Sequence, residues 1–214
     1  MKSGKTPDQL SHPFDVVIYP PPEIRERAIS VSSYLADWGT FFTLDDGENG
    51  PFPHISLYLT EFPLKNLGVI RANLKKYTRI IKPLKVEFSG YDKVEKDYIE
   101  ASYEKSDKLY HLHRDIVRLL NPLREGLIRD RDRERLPQWS KERQESIRLY
   151  GYHSAGGEFR PHMSLAKLKN PDSASAQNLP RYDFSFEVTQ LGLFYAGKNG
   201  TCTKLVELYD LSGL

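Results

Sequence analysis

The pentapeptide Pro53-His54-Ile55-Ser56-Leu57 recurs with a single change as Pro161-His162-Met163-Ser164-Leu165. Gly50-Pro51-Phe52 leads into the first copy and Gly157-Glu158-Phe159-Arg160 into the second. A chain that repeats loop, aromatic, proline and strand is constrained to two related halves of one plan. Side chains alternate between the faces of a strand, so His54, Ser56, Tyr58 and Thr60 are expected on one face and Ile55, Leu57 and Leu59 on the other. His162, Ser164 and Ala166 divide in the same way from Met163 and Leu165. A single histidine on a strand is ordinarily structural. Duplication of the lead-in, the proline, the His-x-Ser spacing and the apolar alternation together points to function.

Size and composition set the bounds. A chain of 214 residues can bury a core without metal or disulfide support. Cys202 is the only cysteine, which excludes an internal disulfide or a cysteine-rich zinc site and fits a reducing compartment. Its expected use is packing within a strand. Residues 1–12 are polar and read as a flexible tail without the apolar stretch of a secretory signal, and no segment is long enough to span a membrane. A soluble cytoplasmic protein is the default expectation, with the nucleus as the alternative compartment, and a monomer. The 31 Lys+Arg against 29 Asp+Glu leave a formal charge of +2, which neither demands nor excludes a nucleic-acid partner.

Periodicity predicts mixed helices and antiparallel strands. A strand is expected over Phe14–Tyr19, then a helix with Ile24, Ala28, Val31 and Leu35 on its apolar stripe. A second helix runs along Leu67, Ile70, Leu74, Tyr77 and Ile81 until Pro83 stops it. Strands at Leu84–Phe88 and Tyr98–Tyr103 flank a break at Ser89-Gly90, and Asp107 is the expected cap of a third helix. Residues 123–150 differ: Arg129-Asp130-Arg131-Asp132-Arg133-Glu134-Arg135 alternates in sign with almost no apolar face, so an exposed insertion laced with ion pairs is expected, with arginine contacts to phosphate as the lesser reading. Three further strands close the chain. The reading is α+β, residues 13–214 forming a single domain of two lobes that bring the equivalent strands, and so the histidines, to a shared cleft.

Two opposed imidazoles suit phosphodiester cleavage, because one can take a proton from the attacking oxygen while the other returns one to the leaving oxygen. Ser56 and Ser164 can donate to the nonbridging oxygens, so neither metal nor cofactor is required. Paired His-x-Ser-hydrophobic motifs in a chain of this size resemble the 2H phosphoesterase superfamily. The resemblance implies a bilobal, pseudo-twofold α+β fold with two antiparallel sheets flanking a central cleft and helices outside. It also implies metal-independent chemistry on 2′,3′-cyclic phosphates, 2′–5′ linkages or RNA termini, carried by His54, Ser56, His162 and Ser164. The substrate is then a nucleotide or RNA. A 3′-end RNA exonuclease is the nearest variant, a non-catalytic RNA- or nucleotide-binding module the rival from another class, and a serine hydrolase the weakest.

Secondary candidates are set by position. Tyr58 shares the expected face of His54; Phe52 and Phe159 precede the motifs and are candidates to stack a base; Tyr195 and Lys198 sit near a strand end and turn. Arg160 and Lys167 flank the second motif as phosphate contacts of lesser weight. His111 and His113 on one helix are expected to project apart, His153 to be exposed and His12 to belong to the tail.

Overall fold

The computed structural model describes residues 10–47, 50–95, 97–173 and 179–213. The expected tail lies outside the described residues up to residue 9, but its end is ordered: β1 (Ser11–Ile18) begins two residues before Pro13, with Ser11 and His12 opposite Pro63 and Phe62. Helix α1 (Pro22–Ala36) starts at a proline, whose missing N–H has no partner to lose in a first turn, and buries the expected stripe. Strand β2 (Ile55–Pro63) carries the first motif, and α2 (Leu67–Thr78) ends a turn earlier than Pro83 requires.

Strands β3 (Leu84–Val86), β4 (Phe88–Val94) and β5 (Tyr98–Tyr103) come next. The break falls at Glu87 instead of Ser89-Gly90, where β4 continues through a bulge. Ser106, not Asp107, caps α3 (Asp107–Leu120): its Oγ accepts from the Leu109 N–H, and Asp107 sits in the first turn, where negative charge favours the helix. Helices α4 (Asp130–Arg135) and α5 (Lys141–Tyr150) lead to β6 (His162–Lys167), which carries the second motif. The chain closes with β7 (Phe186–Val188), β8 (Gln190–Ala196) and β9 (Cys202–Asp210). Among the described residues no helix is long and apolar enough to cross a membrane.

The strands form a four-stranded sheet, β2-β1-β8-β9, a three-stranded sheet, β4-β5-β6, and a separate β3-β7 pair, all antiparallel. The α+β class stands, with one small sheet beyond the two expected. The halves exchange elements. Strands β4 and β5 come after the first motif in sequence yet pair with the strand of the second, and β8 and β9 come after the second yet join the sheet of the first. The helices cross over too, α3 packing on β2 and α1 on β6.

Both motif strands are bulged at the same residue of the repeat. Val17 faces Ser56 and Val16 faces Tyr58, so Leu57 is extra; Glu100 faces Ser164 and Ile99 faces Ala166, so Leu165 is extra. An extra residue turns the remainder of its strand onto the opposite face. His113 occupies the gap this leaves. Its Nδ1–H donates to the Leu57 carbonyl at 2.7 Å, and its Nε2 accepts from the Gly156 N–H at 3.0 Å, with the ring stacked on Phe159 at 4.0 Å. A fully buried imidazole thus ties the first motif strand to the turn that leads into the second.

Burial holds His113 down at about 4 from 6.5, and a proton on Nε2 would also oppose the Gly156 N–H. Between pH 6.5 and 4 the unfolded chain binds this proton and the folded chain does not, so stability is complete above 6.5 and falls as pH falls. We expect His113→Phe to cost on the order of 2–4 kcal/mol at pH 7.5, by leaving two polar groups unpaired. Its stability should also depend less on pH between 7.5 and 4.5 than that of the parent, as measured by urea unfolding at each pH.

Candidate active site

A cavity of about 360 Å³ lies between the two motif strands, and His54, Ser56, His162 and Ser164 all line it. Each histidine is fixed by the same local contact. His54 Nδ1 lies 2.7 Å from the carbonyl of Phe52, and His162 Nδ1 lies 2.8 Å from the carbonyl of Arg160, in both cases two residues upstream across a proline. A carbonyl can only accept, so both Nδ1 atoms carry the hydrogen and both Nε2 atoms keep the lone pair of the neutral ring.

A carboxylate accompanies each pair from the neighbouring strand. Asp15 on β1 accepts from the Ser56 hydroxyl at 2.6 Å, and the same oxygen is 3.8 Å from His54 Nε2. Glu100 on β5 lies 3.5 Å from His162 Nε2 and takes a close ion pair from Arg160. Neither acid stands out in the sequence, where no acidic partner lies close to either serine. The signal available is a lone charge inside an apolar run, Phe14-Asp15-Val16-Val17-Ile18.

The two sides are not electrically equal. Asp15 is fully buried, and desolvation raises it to about 7 against the pull of Ser56 and Arg129. His54 is 6 % exposed, and burial, reinforced by the nearby His162, holds it down at about 4 despite its hydrogen bond to Phe52. His54 is neutral at pH 7. His162 is more open, its side chain 22 % exposed.

The secondary candidates divide. Tyr58 is fully buried away from the cavity, its hydroxyl donating to the Tyr150 carbonyl, because the bulge at Leu57 turns it inward and brings Leu59 to the cavity wall. Phe52 packs on Phe194 at 5.2 Å beside Val17 and Cys202, sealing the four-stranded sheet. Tyr195 faces Phe14 and His12 and does not reach the cavity; Asn199 and Gly200 of the next turn do. Phe159 lines the wall but is buried by its stack on His113. Arg160 lines the cavity, whereas Lys167 is held near Asp97. His111 is exposed while His113 is buried, so the two project apart.

The largest correction concerns residues 123–150. Arg129, Arg131, Arg135, Trp139 and Arg143 from this stretch line the same cavity. An exposed insertion is expected from the sequence because α4 turns arginines, instead of an apolar stripe, toward the body of the protein. His153 is likewise part of the wall and not exposed, stacked on Trp139 at 4.9 Å.

Asp15, His54 and Cys202 bring three ligating atoms within 4.8 Å of one another. Burial raises the Cys202 thiol well above its ordinary range and Asp15 to about 7.

Comparison with known proteins places this geometry. A search of curated proteins finds no match. Among solved structures, TT0787 of Thermus thermophilus is similar at a TM-score of 0.62 and 16% identity, covering 94% of this chain and 98% of its own. LigT of E. coli in its apo form is similar at 0.58 and 13%, covering 95% and 99%. A structure described as a phosphoesterase is similar at 0.56 and 14%, covering 95% and 99%. At these identities the likeness establishes the fold. The model of the 2′-5′ RNA ligase superfamily matches residues 20–200, which include both motifs and most of the chain. The chain therefore belongs to the 2′-5′ RNA ligase superfamily and is a 2H phosphoesterase.

Proposed function

We propose that the protein is a metal-independent phosphodiesterase that cleaves a 2′,3′-cyclic phosphate, a 2′–5′ linkage or an RNA terminus by paired acid and base catalysis. The observation that carries this reading is that two histidines, each locked through Nδ1, line one cavity with Nε2 as the reactive nitrogen. LigT of E. coli, similar in fold, has been crystallised with phosphate and with 3′-AMP, which supports a nucleotide phosphate as the occupant.

Roles can be assigned from the environments. For hydrolysis of a cyclic phosphate, neutral His54 takes a proton from water as its oxygen attacks phosphorus. Protonated His162, with the Glu100 carboxylate beside it to balance the charge, gives a proton to the departing ribose oxygen. One P–O bond forms and one breaks, and proton exchange with solvent restores both rings. Ser164 has no hydrogen-bond partner among the described residues, so its hydroxyl is free to donate to a nonbridging oxygen. Ser56 spends its hydrogen on Asp15 while that acid is ionised. When Asp15 is protonated it can donate to Ser56 instead, which releases the serine hydrogen to the phosphate.

A binding module has no need of two rings held in this way, and Ser56 gives its hydrogen to Asp15 and not to a histidine base. Replacement of either histidine by alanine should lower kcat by about 10²–10⁴-fold without loss of the folded state by circular dichroism. Substrates are nucleoside 2′,3′-cyclic phosphates, 2′–5′ dinucleotides and short RNAs differing at the 3′ end. Full activity in either variant sinks the assignment.

The pH dependence of kcat/KM should be bell-shaped. Activity rises above about 4 as His54 becomes neutral, and the alkaline limb reports the general acid of the pair. Activity abolished by EDTA and restored by a divalent ion would overturn the metal-free reading.

A further inference from the structure

The cavity wall supplied by residues 123–150 has a charge excess that the proposed chemistry does not use. Among the described residues five arginines and four carboxylates line the cavity, and three of the arginines take all four carboxylates. Asp132 pairs with Arg129 at 2.6 Å, Glu95 and Glu158 pair with Arg143 at 3.2 and 3.8 Å, and Glu100 pairs with Arg160. Arg131 and Arg135 remain. Both line the cavity, and neither has an ion-pair or hydrogen-bond partner among the described residues.

These two stand four residues apart on α4, which puts both on one helix face. Two like charges so placed repel, and turning them into a cavity that excludes part of the surrounding water strengthens the repulsion. An anion between them reverses the sign of that interaction. Guanidinium groups are suited to the task, since their planar forks match phosphate oxygens.

Electrostatics also fix their position relative to the histidines. His153, stacked on Trp139, is lowered to about 3 chiefly by burial and then by the positive charges of Arg129, Arg143, His162 and Arg131. One ring therefore lies within electrostatic reach of both His162 and Arg131, and Arg135 lines the same cavity as the two motif histidines. Trp139 Nε1 and His153 Nδ1 are in addition enclosed without hydrogen-bond partners in this wall.

We propose that Arg131 and Arg135 form a second phosphate subsite, which takes another phosphate group of the same substrate whose first phosphate lies between His54 and His162. The inference rests on the phosphodiesterase reading for the placement of the first phosphate. The preferred substrate then carries at least two phosphates, supplied either by a 5′-phosphate on a cyclic nucleotide or by the next internucleotide linkage of an RNA strand.

The test compares kcat/KM for three substrates: a nucleoside 2′,3′-cyclic phosphate with a free 5′-hydroxyl, the same compound with a 5′-phosphate, and a dinucleotide ending in a cyclic phosphate. At least one of the two substrates with a second phosphate should be favoured by about tenfold or more, and the Arg131→Gln/Arg135→Gln variant should bring that ratio close to one. Preference for the 5′-phosphate identifies a mononucleotide, and preference for the dinucleotide alone identifies a strand. A ratio near one in the parent, or a ratio unchanged in the variant, overturns the subsite.

A binding arm separates this outcome from failure of the phosphodiesterase reading. In a Trp38→Phe background the remaining Trp139 reports ligand by fluorescence, titrated with a nucleoside 3′,5′-bisphosphate and with the 3′-monophosphate. Tighter binding of the bisphosphate by about tenfold, lost in the double variant, supports the subsite even if no substrate is turned over. Equal affinities overturn it.

Discussion

The imidazole of His113 is the contact on which the relation between the two motifs depends. Its donor is spent on the carbonyl of the extra residue in the first motif strand, and its acceptor on the backbone N–H of the turn before the second. A bulge leaves a carbonyl that the ladder cannot satisfy, and a buried carbonyl without a partner costs about 1–3 kcal/mol. The same ring meets that need and stacks on Phe159, whose neighbour Arg160 supplies the carbonyl that orients His162. Geometry at one motif histidine is thereby tied to geometry at the other through a fully buried group.

Around this frame the two halves are alike in parts and unlike in environment. Each offers a histidine, a serine and a carboxylate from the adjacent strand, held by the same upstream contact. Burial then separates their chemistry. Asp15 and His54 lie deep enough for desolvation to push both toward their neutral forms, whereas Glu100 shares its charge with Arg160 beside the more open His162. The copies share their histidine and serine and differ in how far solvent reaches the histidine.

The His-x-Ser pairs are legible in the sequence because they are local: a repeated string carries its own strand, its own lead-in and its own alternation. Alternation fails at Tyr58 because a one-residue bulge leaves no mark in the apolar pattern, and Leu57 is as suitable for a bulge as for a regular strand. Asp15 and Glu100 reach the site through cross-strand pairing, which depends on register between distant segments. The arginines of residues 123–150 show as a charged stretch that points to solvent, since α4 has no continuous apolar stripe to announce which side faces inward. Helix ends are legible to within a turn, and Ser106 competes successfully with Asp107 for the cap.

The exchange of strands and helices between the halves has a consequence for the order in which the chain acquires structure. During synthesis β2 leaves the ribosome well before α3, the helix that covers it, and α1 waits for β6, more than a hundred residues later. The first sheet is finished only by the last strands, β8 and β9. Loop-closure entropy is paid across nearly the whole polypeptide before its contacts are returned, which makes folding slow and concerted and gives neither half a stable existence alone. A nascent fragment ending before the second motif exposes unpaired edges and an uncovered apolar face, the features that promote association between copies.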